Sequence, residues 1–247
     1  MGKYIGSRIK KLRALGMLPG LTAKNPNERR QTPGEHGVLK LMKIYNYLSE
    51  DFKERLIQKQ RIRYNFGIRE KQLHNYYKFF KKKKELKKGP FLILLEYRLD
   101  CLLYRIGFAL SIPAARQIIN HGHVFINNKK VTIPGFICNL FDIITFRESI
   151  KIQSFIEKNF SIYEIKREMF RNRRKSVLSL LSSLDLTNDD IGQTLFAKLS
   201  TTKIKTDLPS YIEINSNPWQ AQLISKIEED DIHIKVDEQK VIEYYSN

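Results

Sequence analysis

The sequence predicts an α+β protein: a mainly helical N-terminal domain with an extended basic arm, then a small helix–helix–hairpin module with a short mixed sheet. Three observations carry that prediction. Between Phe91 and Phe146 the apolar spacing changes from steps of three and four to short β-branched runs, the signatures of helix and then strand. From Leu41 to Phe80 helical spacing prevails. Residues 1–40 are rich in Gly, Pro, Asn and Arg and show little apolar periodicity after Leu21.

The central stretch is the most legible. In FLILLEYRLDCLLYRIGFAL, Leu92, Leu95, Leu99, Leu102 and Ile106 define one apolar face, so a single helix is expected, started by Pro90 and stopped by Gly107. Ser111 and Pro113 suit the first turn of a second helix, AARQIINHG. That helix turns Ala115, Ile118 and Ile119 inward, leaves Arg116 and Asn120 on the opposite face, and is capped by Gly122. HVFINNKKVTI reads as a hairpin about Asn127-Asn128, because asparagine tolerates the positive φ of a tight turn. Pro134 and Gly135 break the chain, and FDIITF supplies another strand.

The flanking segments follow in order. Residues 1–40 form a basic arm expected to be extended or mobile until bound, with Arg8, Lys10, Lys11 and Arg13 as its candidate contacts. Residues 41–90 form a helical domain divided at Gly67, with Leu56, Ile57, Tyr64 and Phe66 as apolar contacts. The run KKKKELKKG closes that domain as a solvated linker. Residues 91–150 are the module. Residues 151–206 are an inserted or expanded segment, helical through RNRRK, with a further helix start at Thr187 to Asp190. In 207–247, Ile212 and Ile214, then Ile232, Ile234 and Val236, alternate like strands. Asp237 can cap a last helix burying Val241, Ile242 and Tyr245, and this end is expected to dock on the body.

Composition narrows the function. The 247 residues carry a formal charge of +18, unevenly placed: residues 1–90 hold 24 Lys and Arg against 7 Asp and Glu, whereas 207–247 hold 3 against 9. Such asymmetry points to a polyanion, RNA or DNA before a membrane surface. No apolar run reaches membrane-spanning length, and the N-terminus lacks the apolar centre of a signal peptide, so it is read as mature sequence. Cys101 and Cys138 stand in apolar runs without metal or disulfide spacing, which predicts buried, reduced thiols.

Within the module the polar residues are mostly positive: Arg98 and Arg105 one heptad apart, Arg116, His121, Lys129 and Lys130. Fixed cations on rigid elements are what phosphate recognition needs, whereas the plainer alternative is the solvated face of an ordinary α/β domain. In the helical domain cations interleave with aromatics at Arg61, Arg63, Tyr64, Tyr76 and Tyr77. Aromatics at that spacing more often fill a core than stack on bases, so the cations are the better candidates.

Laid out in this way, the chain resembles the ribosomal protein S4 family in its chloroplast form. The resemblance is carried by RIKKLRALGMLPGLT, RLIQKQRIRYNFGIREKQL, EYRLDCLLYRIGFALSIPAARQIINHGHVFINNKKVTIPGF with DIIT, and IEYYSN. It implies a structural, non-enzymatic constituent of the small ribosomal subunit that binds 16S-type rRNA directly. It further implies a role in nucleating the 5′ domain, a contribution to translational accuracy, no cofactor and no membrane. The implied partners are rRNA, neighbouring small-subunit proteins and mRNA as it enters the subunit. The implied location is the chloroplast, with a mitochondrial or bacterial ribosome as the alternative. By position, the resemblance places Arg98, Arg116, Gln117, His121 and Lys129 on the module's RNA face, and Lys59, Gln60, Arg63 and Tyr64 on that of the helical domain. Some bacterial relatives carry N-terminal metal-binding cysteines; here no cysteine precedes Cys101, so no metal site is expected. Asn127-Asn128 replaces the usual Asn-Gly turn, and 151–206 exceed the usual connection to the tail.

Two rival readings stay open to the sequence. One is an RNA-modifying enzyme, or another RNA-binding protein, with the same module: Arg98-Leu99-Asp100 matches the RLD around the catalytic aspartate of pseudouridine synthases, although Asp100 falls within an amphipathic pattern. The other is a metal or hydrolytic site on the five histidines, of which His121 and His123 alone are near neighbours.

Overall fold

Secondary structure alternates between helical packing and a small sheet, in a computed structural model that describes residues 6–22, 24, 51–82, 91–183, 209–216, 219–232 and 234–246. The helices are α1 (Arg8–Leu15), α2 (Asp51–Asn65), α3 (Glu70–Lys82), α4 (Phe91–Glu96), α5 (Leu99–Ile106), α6 (Ile112–Asn120), α7 (Ile150–Ser183) and α8 (Glu238–Ser246). The strands are β1 (Val124–Ile126), β2 (Lys129–Val131), β3 (Ile143–Phe146), β4 (Ile212–Ser216) and β5 (Trp219–Leu223). Their order is β2-β1-β3-β5-β4, and every pairing is antiparallel, which corrects the expected mixed sheet.

Two apolar clusters hold these elements. One joins α5 and α6 to the sheet and to the start of α7, with Leu102, Leu103, Phe108, Ile119, Val124, Ile144, Ile156 and Leu223 at its centre. The other joins α1, α2, α3, α4 and α8 around Leu12, Ile62, Phe66, Leu73, Phe91, Leu95 and Val241. Leu95 and Leu102 lie in different clusters, so the α4–α5 region serves both cores.

The described part of the N-terminal arm is not extended. Residues 8–15 are helical, and Leu12, Leu18 and Leu21 are buried in the second cluster, so apolar burial opposes the ordering entropy there. The turn is threaded between two helices: Gly20 N donates to Asn65 Oδ1 at 2.9 Å, and Ile112 N donates to Gly20 O at 2.9 Å. A Cβ on Gly20 would stand 2.6 Å from Ile112 Cδ1 and 2.9 Å from the Asn65 carbonyl oxygen, so a side chain there would crowd the backbone at the end of α2. Residues 25–40 lie outside the described part.

The expected single helix from Phe91 is broken at Tyr97 and Arg98. Arg98 is extended (φ −73°, ψ 140°) and bridges Ile137. Leu99 N donates to Phe136 O at 2.8 Å and Cys138 N to Tyr97 O at 2.9 Å, so the incoming loop satisfies backbone groups that the helix would otherwise pair. The other punctuation agrees with expectation. Gly107 (φ 94°) ends α5, Ser111 Oγ accepts from Ala114 N at 3.4 Å at the start of α6, and Asn127 and Asn128 have φ 49° and 63°. Pro90 and Thr187 to Asp190 lie outside the described residues.

In the tail, β4 contains Ile212 and Ile214 as expected, but Ile232, Ile234 and Val236 form no strand. They follow a 3₁₀ turn at Glu229–Asp231 and pack on the helical cluster, so their alternation reflects helix contact instead of sheet pairing. Asp237 Oδ1 accepts from Gln239 N at 3.1 Å and Lys240 N at 3.4 Å, capping α8. That helix docks through an Arg55–Glu243 ion pair of 3.0 Å and the Tyr77–Tyr245 ring pair. Cys101 and Cys138 are buried and unpaired.

Candidate nucleic-acid interface

The basic residues singled out by sequence separate into two populations. The first is interior. Arg98 is 1% exposed, and its Nε and Nη2 donate to the Asp100 carboxylate at 3.0 and 2.8 Å. Its Nη1 donates to the Tyr76 hydroxyl at 2.7 Å. Burial works against the Arg98 charge, and the Asp100 carboxylate more than offsets it, so the guanidinium is held charged. Arg105 is paired in the same way with buried Glu96, through Nε at 2.9 Å and through Nη2.

Arg116 extends the Asp100 network. Its Nε donates to Asp100 Oδ2 at 2.7 Å, Nη2 donates to Phe66 O at 2.6 Å, and Nη1 donates to Gly67 O. The end of α2 exposes carbonyls that its own helix leaves unpaired, and Arg116 on α6 answers two of them. Asp100 is fully buried; burial raises its pKa, but Arg98 and Arg116 together hold it below the ordinary carboxylate value. Arg116 therefore braces the helical region against the module. Lys59 is also inside: its Nζ meets Glu70 at 2.9 Å and stands 4.0 Å from the Tyr244 ring centre.

These positions correct the expected site. Arg98, Arg105 and Lys59 lie in the interior beside carboxylates and cannot present charge to phosphate, and most of Arg116's donors point inward. The enzymatic rival fails on the same geometry, since Asp100 has no exposed surface and is gripped by two arginines. Among the described residues no group of three or more His, Cys, Asp or Glu could hold a metal ion.

The second population faces solvent. On the module, Gln117, His121, Lys129 and Lys130 are exposed. The two lysines open β2 just after the Asn127-Asn128 turn, and the Lys130 side chain lies over Gly122, whose φ of 72° favours glycine. The His121 and His123 rings are 5.8 Å apart. The His123 pKa is lowered, first by desolvation and then by His121, Arg147 and Lys130, so these groups converge on one end of the module. Arg147 was not singled out by sequence. The Val124↔Phe146 register and the Arg147 N to His123 O bond of 2.9 Å place it there, and no local motif encodes that pairing.

On the helical region Arg8 and Lys10 are exposed, and Arg13 is half-buried. Lys11 Nζ lies 4.4 Å from the Tyr64 ring centre and Arg63 Cζ 5.4 Å from it, while Arg63 Nη1 donates to Gln60 Oε1 at 3.4 Å. The structure thus gathers Lys11, Gln60, Arg63 and Tyr64 into one cluster spanning α1 and α2. Exposed Arg69 follows Gly67 by two residues and was likewise missed, because nothing in the sequence shows that Gly67 meets the module.

Among the described residues, a helix pair and an antiparallel hairpin hold cations at the surface, the kind of arrangement that nucleic-acid-binding modules present. The comparisons give the family. Residues 3–96 match the model of the ribosomal protein S4/S9 N-terminal domain, and residues 98–144 match the S4 domain. Small ribosomal subunit protein uS4c of Prototheca wickerhamii is 37% identical over 209 residues, covering 83% of this chain and 100% of the relative. The protein of the same name from Cyanophora paradoxa is 31% identical over 246 residues, covering 100% of both, and that from Guillardia theta is 42% identical over 160 residues, covering 65% and 76%. The chain belongs to the uS4 ribosomal protein family, in its chloroplast type. It is a structural protein of the small ribosomal subunit, not an enzyme, and its family implies rRNA and other small-subunit proteins as partners.

Proposed function

We infer that the chain binds 16S-type rRNA directly through two cationic clusters, one exposed on the module and one ranging from exposed to half-buried on the helical region. These are Gln117, His121, Lys129, Lys130 and Arg147 on the module, and Arg8, Lys10, Lys11, Arg13, Gln60, Arg63 and Tyr64 across α1 and α2. The observation that carries this reading is the sorting of charge: interior cations each have a carboxylate partner, while the exposed set stands on helices and a hairpin fixed by two cores. The Arg116 brace presents both units as one shape, which suits recognition of folded RNA by form and phosphate spacing. Acting early, such a two-unit binder joins RNA segments that would otherwise move independently, and so nucleates the 5′ domain. Its contribution to accuracy and its nearness to incoming mRNA belong to the same reading. The test is equilibrium binding to the 5′ domain of small-subunit rRNA and to an unrelated folded RNA of equal length across a salt series. Tight binding to the first that survives moderate salt supports the reading; equal, steeply salt-sensitive binding to both rejects it.

A further inference from the structure

The two faces of the five-stranded sheet are of different make. Helices α5 and α6 and the start of α7 pack on one, where Val124, Ile126, Ile144, Ala221 and Leu223 are buried. Successive strand residues point to opposite faces, so the register fixes what the outer face carries. Phe125 pairs with Lys130 on one side and Thr145 on the other, and Thr145 pairs with Gln220, which makes one row across β2, β1, β3 and β5. The next row holds Ile143, Gln222 and Glu213. Beyond Phe125 in the other direction, Arg147 N donates to His123 O at 2.9 Å where the β1–β3 ladder ends. The charges of Lys130 and Arg147 both act on the His123 ring, which sets the three together.

The outer face is neither apolar nor simply solvated. Phe125 is half-buried, yet it belongs to neither apolar cluster, and Ile143 is 38% exposed. Thr145, Gln220 and Gln222 fill the middle with uncharged donors and acceptors. Exposed Lys130 and Arg147 stand at the β1–β2 side, and the acidic Glu213 stands two strands beyond β3, on β4. The nearby Asp142 carboxylate is taken up by Asn127 Nδ2 at 2.9 Å and Asn139 N at 2.8 Å. Charge therefore rises across the face from β4 to β2, with the aromatic ring next to the cations. An apolar protein surface laid here would strand the two amides and the hydroxyl, whereas a nucleotide base carries donors and acceptors on its edge and a flat face for the ring.

We propose that the outer face of this sheet is a binding site for unpaired RNA, with one base stacked on Phe125, its edge met by Thr145 and Gln220, and the adjoining phosphates met by Lys130 and Arg147. Strands lie about 4.8 Å apart, so Lys130 and Thr145 each stand one strand from Phe125, within the span of a single nucleotide. The site rests on the rRNA-binding reading above. It carries the hairpin contact around β2 onto the sheet and assigns single-stranded RNA to that surface.

The test uses the full chain with Phe125→Leu, which removes the ring and keeps an apolar strand residue, and with Phe125→Trp, which keeps a ring. The probes are an unstructured RNA strand of about ten nucleotides, the same strand annealed to its complement, and 5′-domain rRNA. The leucine variant should bind the single strand about tenfold more weakly at an unchanged salt slope, since it loses a stacked base and no charge. It should bind the duplex as the parent does. On 5′-domain rRNA it should open one unpaired stretch to base-specific chemical modification and keep the other protections. The tryptophan variant should bind as tightly as the parent, and the single strand should quench its emission, whereas Trp219 of the parent packs on Phe108 in the core and should respond little. The site is overturned, and the wider reading stands, if the parent discriminates its rRNA and the folded leucine variant matches it on the single strand and in the footprint. An emission of Phe125→Trp that RNA leaves unmoved overturns it equally, and decides alone should the leucine variant not fold. If the parent shows no discrimination, the wider reading fails and takes this inference with it.

Discussion

Arg105 and Lys130 carry the same formal charge in one module, and the fold uses them in opposite ways. Arg105 lies inside against Glu96, where each charge cancels the desolvation cost of the other. Lys130 stands on a hairpin in water, where its charge remains available to an outside partner. The comparison teaches that a basic sequence overstates the basic surface: Arg98, Arg105 and Lys59 are part of the interior. It also divides the consequences of mutation, since interior cations should govern stability and exterior ones binding.

The largest effect is expected at the shared carboxylate. Asp100→Ala leaves Arg98 buried without a counter-charge and removes the Nε partner of Arg116, so unfolding free energy should fall by about 3–5 kcal/mol. Chemical denaturation measures it, and a loss below 1 kcal/mol would mean that these arginines find other partners. Arg105→Met should cost a similar amount by stranding Glu96, whereas Glu96→Leu with Arg105→Met should recover most of the loss. If the double variant were no better than the single one, the pair would not be the cause.

Much of this architecture was legible in the sequence. Gly107, Ser111, Gly122 and Asn127-Asn128 act through their own backbone preferences, so they can be read locally. The fate of the arginines could not be read in that way. Glu96 precedes Arg105 by nine residues, and Phe66 precedes Arg116 by fifty, so their pairing exists only after the chain has folded. The break at Arg98 was hidden for the same reason: the apolar spacing continues across it, while the interrupting partner, Ile137, comes from a distant loop. Strand β5 was missed although Trp219, Ala221 and Leu223 alternate inward, because the run is only five residues long and neither Trp219 nor small Ala221 marks a strand as a β-branched residue would.

A smaller effect sharpens the comparison from the acidic side. Glu238, half-buried at the start of α8, accepts from Phe91 N at 2.7 Å, and burial pushes its pKa up to about 7. A carboxyl raised in the folded state binds more protons there than when unfolded. Its ionisation therefore costs stability as pH rises from about 4.5 to 7, and the cost is fully present above that range. Glu238→Gln should remove this pH dependence and stabilise the protein at pH 8 by roughly 1 kcal/mol after allowance for solvent screening. Parallel stability curves for parent and variant across pH 5–8 would show that Glu238 does not titrate in this range.

The smallest effect on stability should accompany a large effect on binding. Lys129→Ala with Lys130→Ala removes two exposed charges from a turn whose shape depends on Asn127 and Asn128, both of which the variant keeps. Its unfolding midpoint should match that of the parent, because surface changes away from caps and buried networks leave stability nearly unchanged. Affinity for small-subunit rRNA should nevertheless drop, and the salt slope should become shallower by about 2, one released counterion for each lysine. Arg105→Met should do the reverse, lowering the midpoint while the fraction that remains folded binds with the parent's slope. A shallower slope for folded Arg105→Met, or an unchanged slope for the lysine variant, would break the division between interior and exterior cations. If both behave as expected, the RNA contact on this module is made by its hairpin and not by the arginines of its first helices.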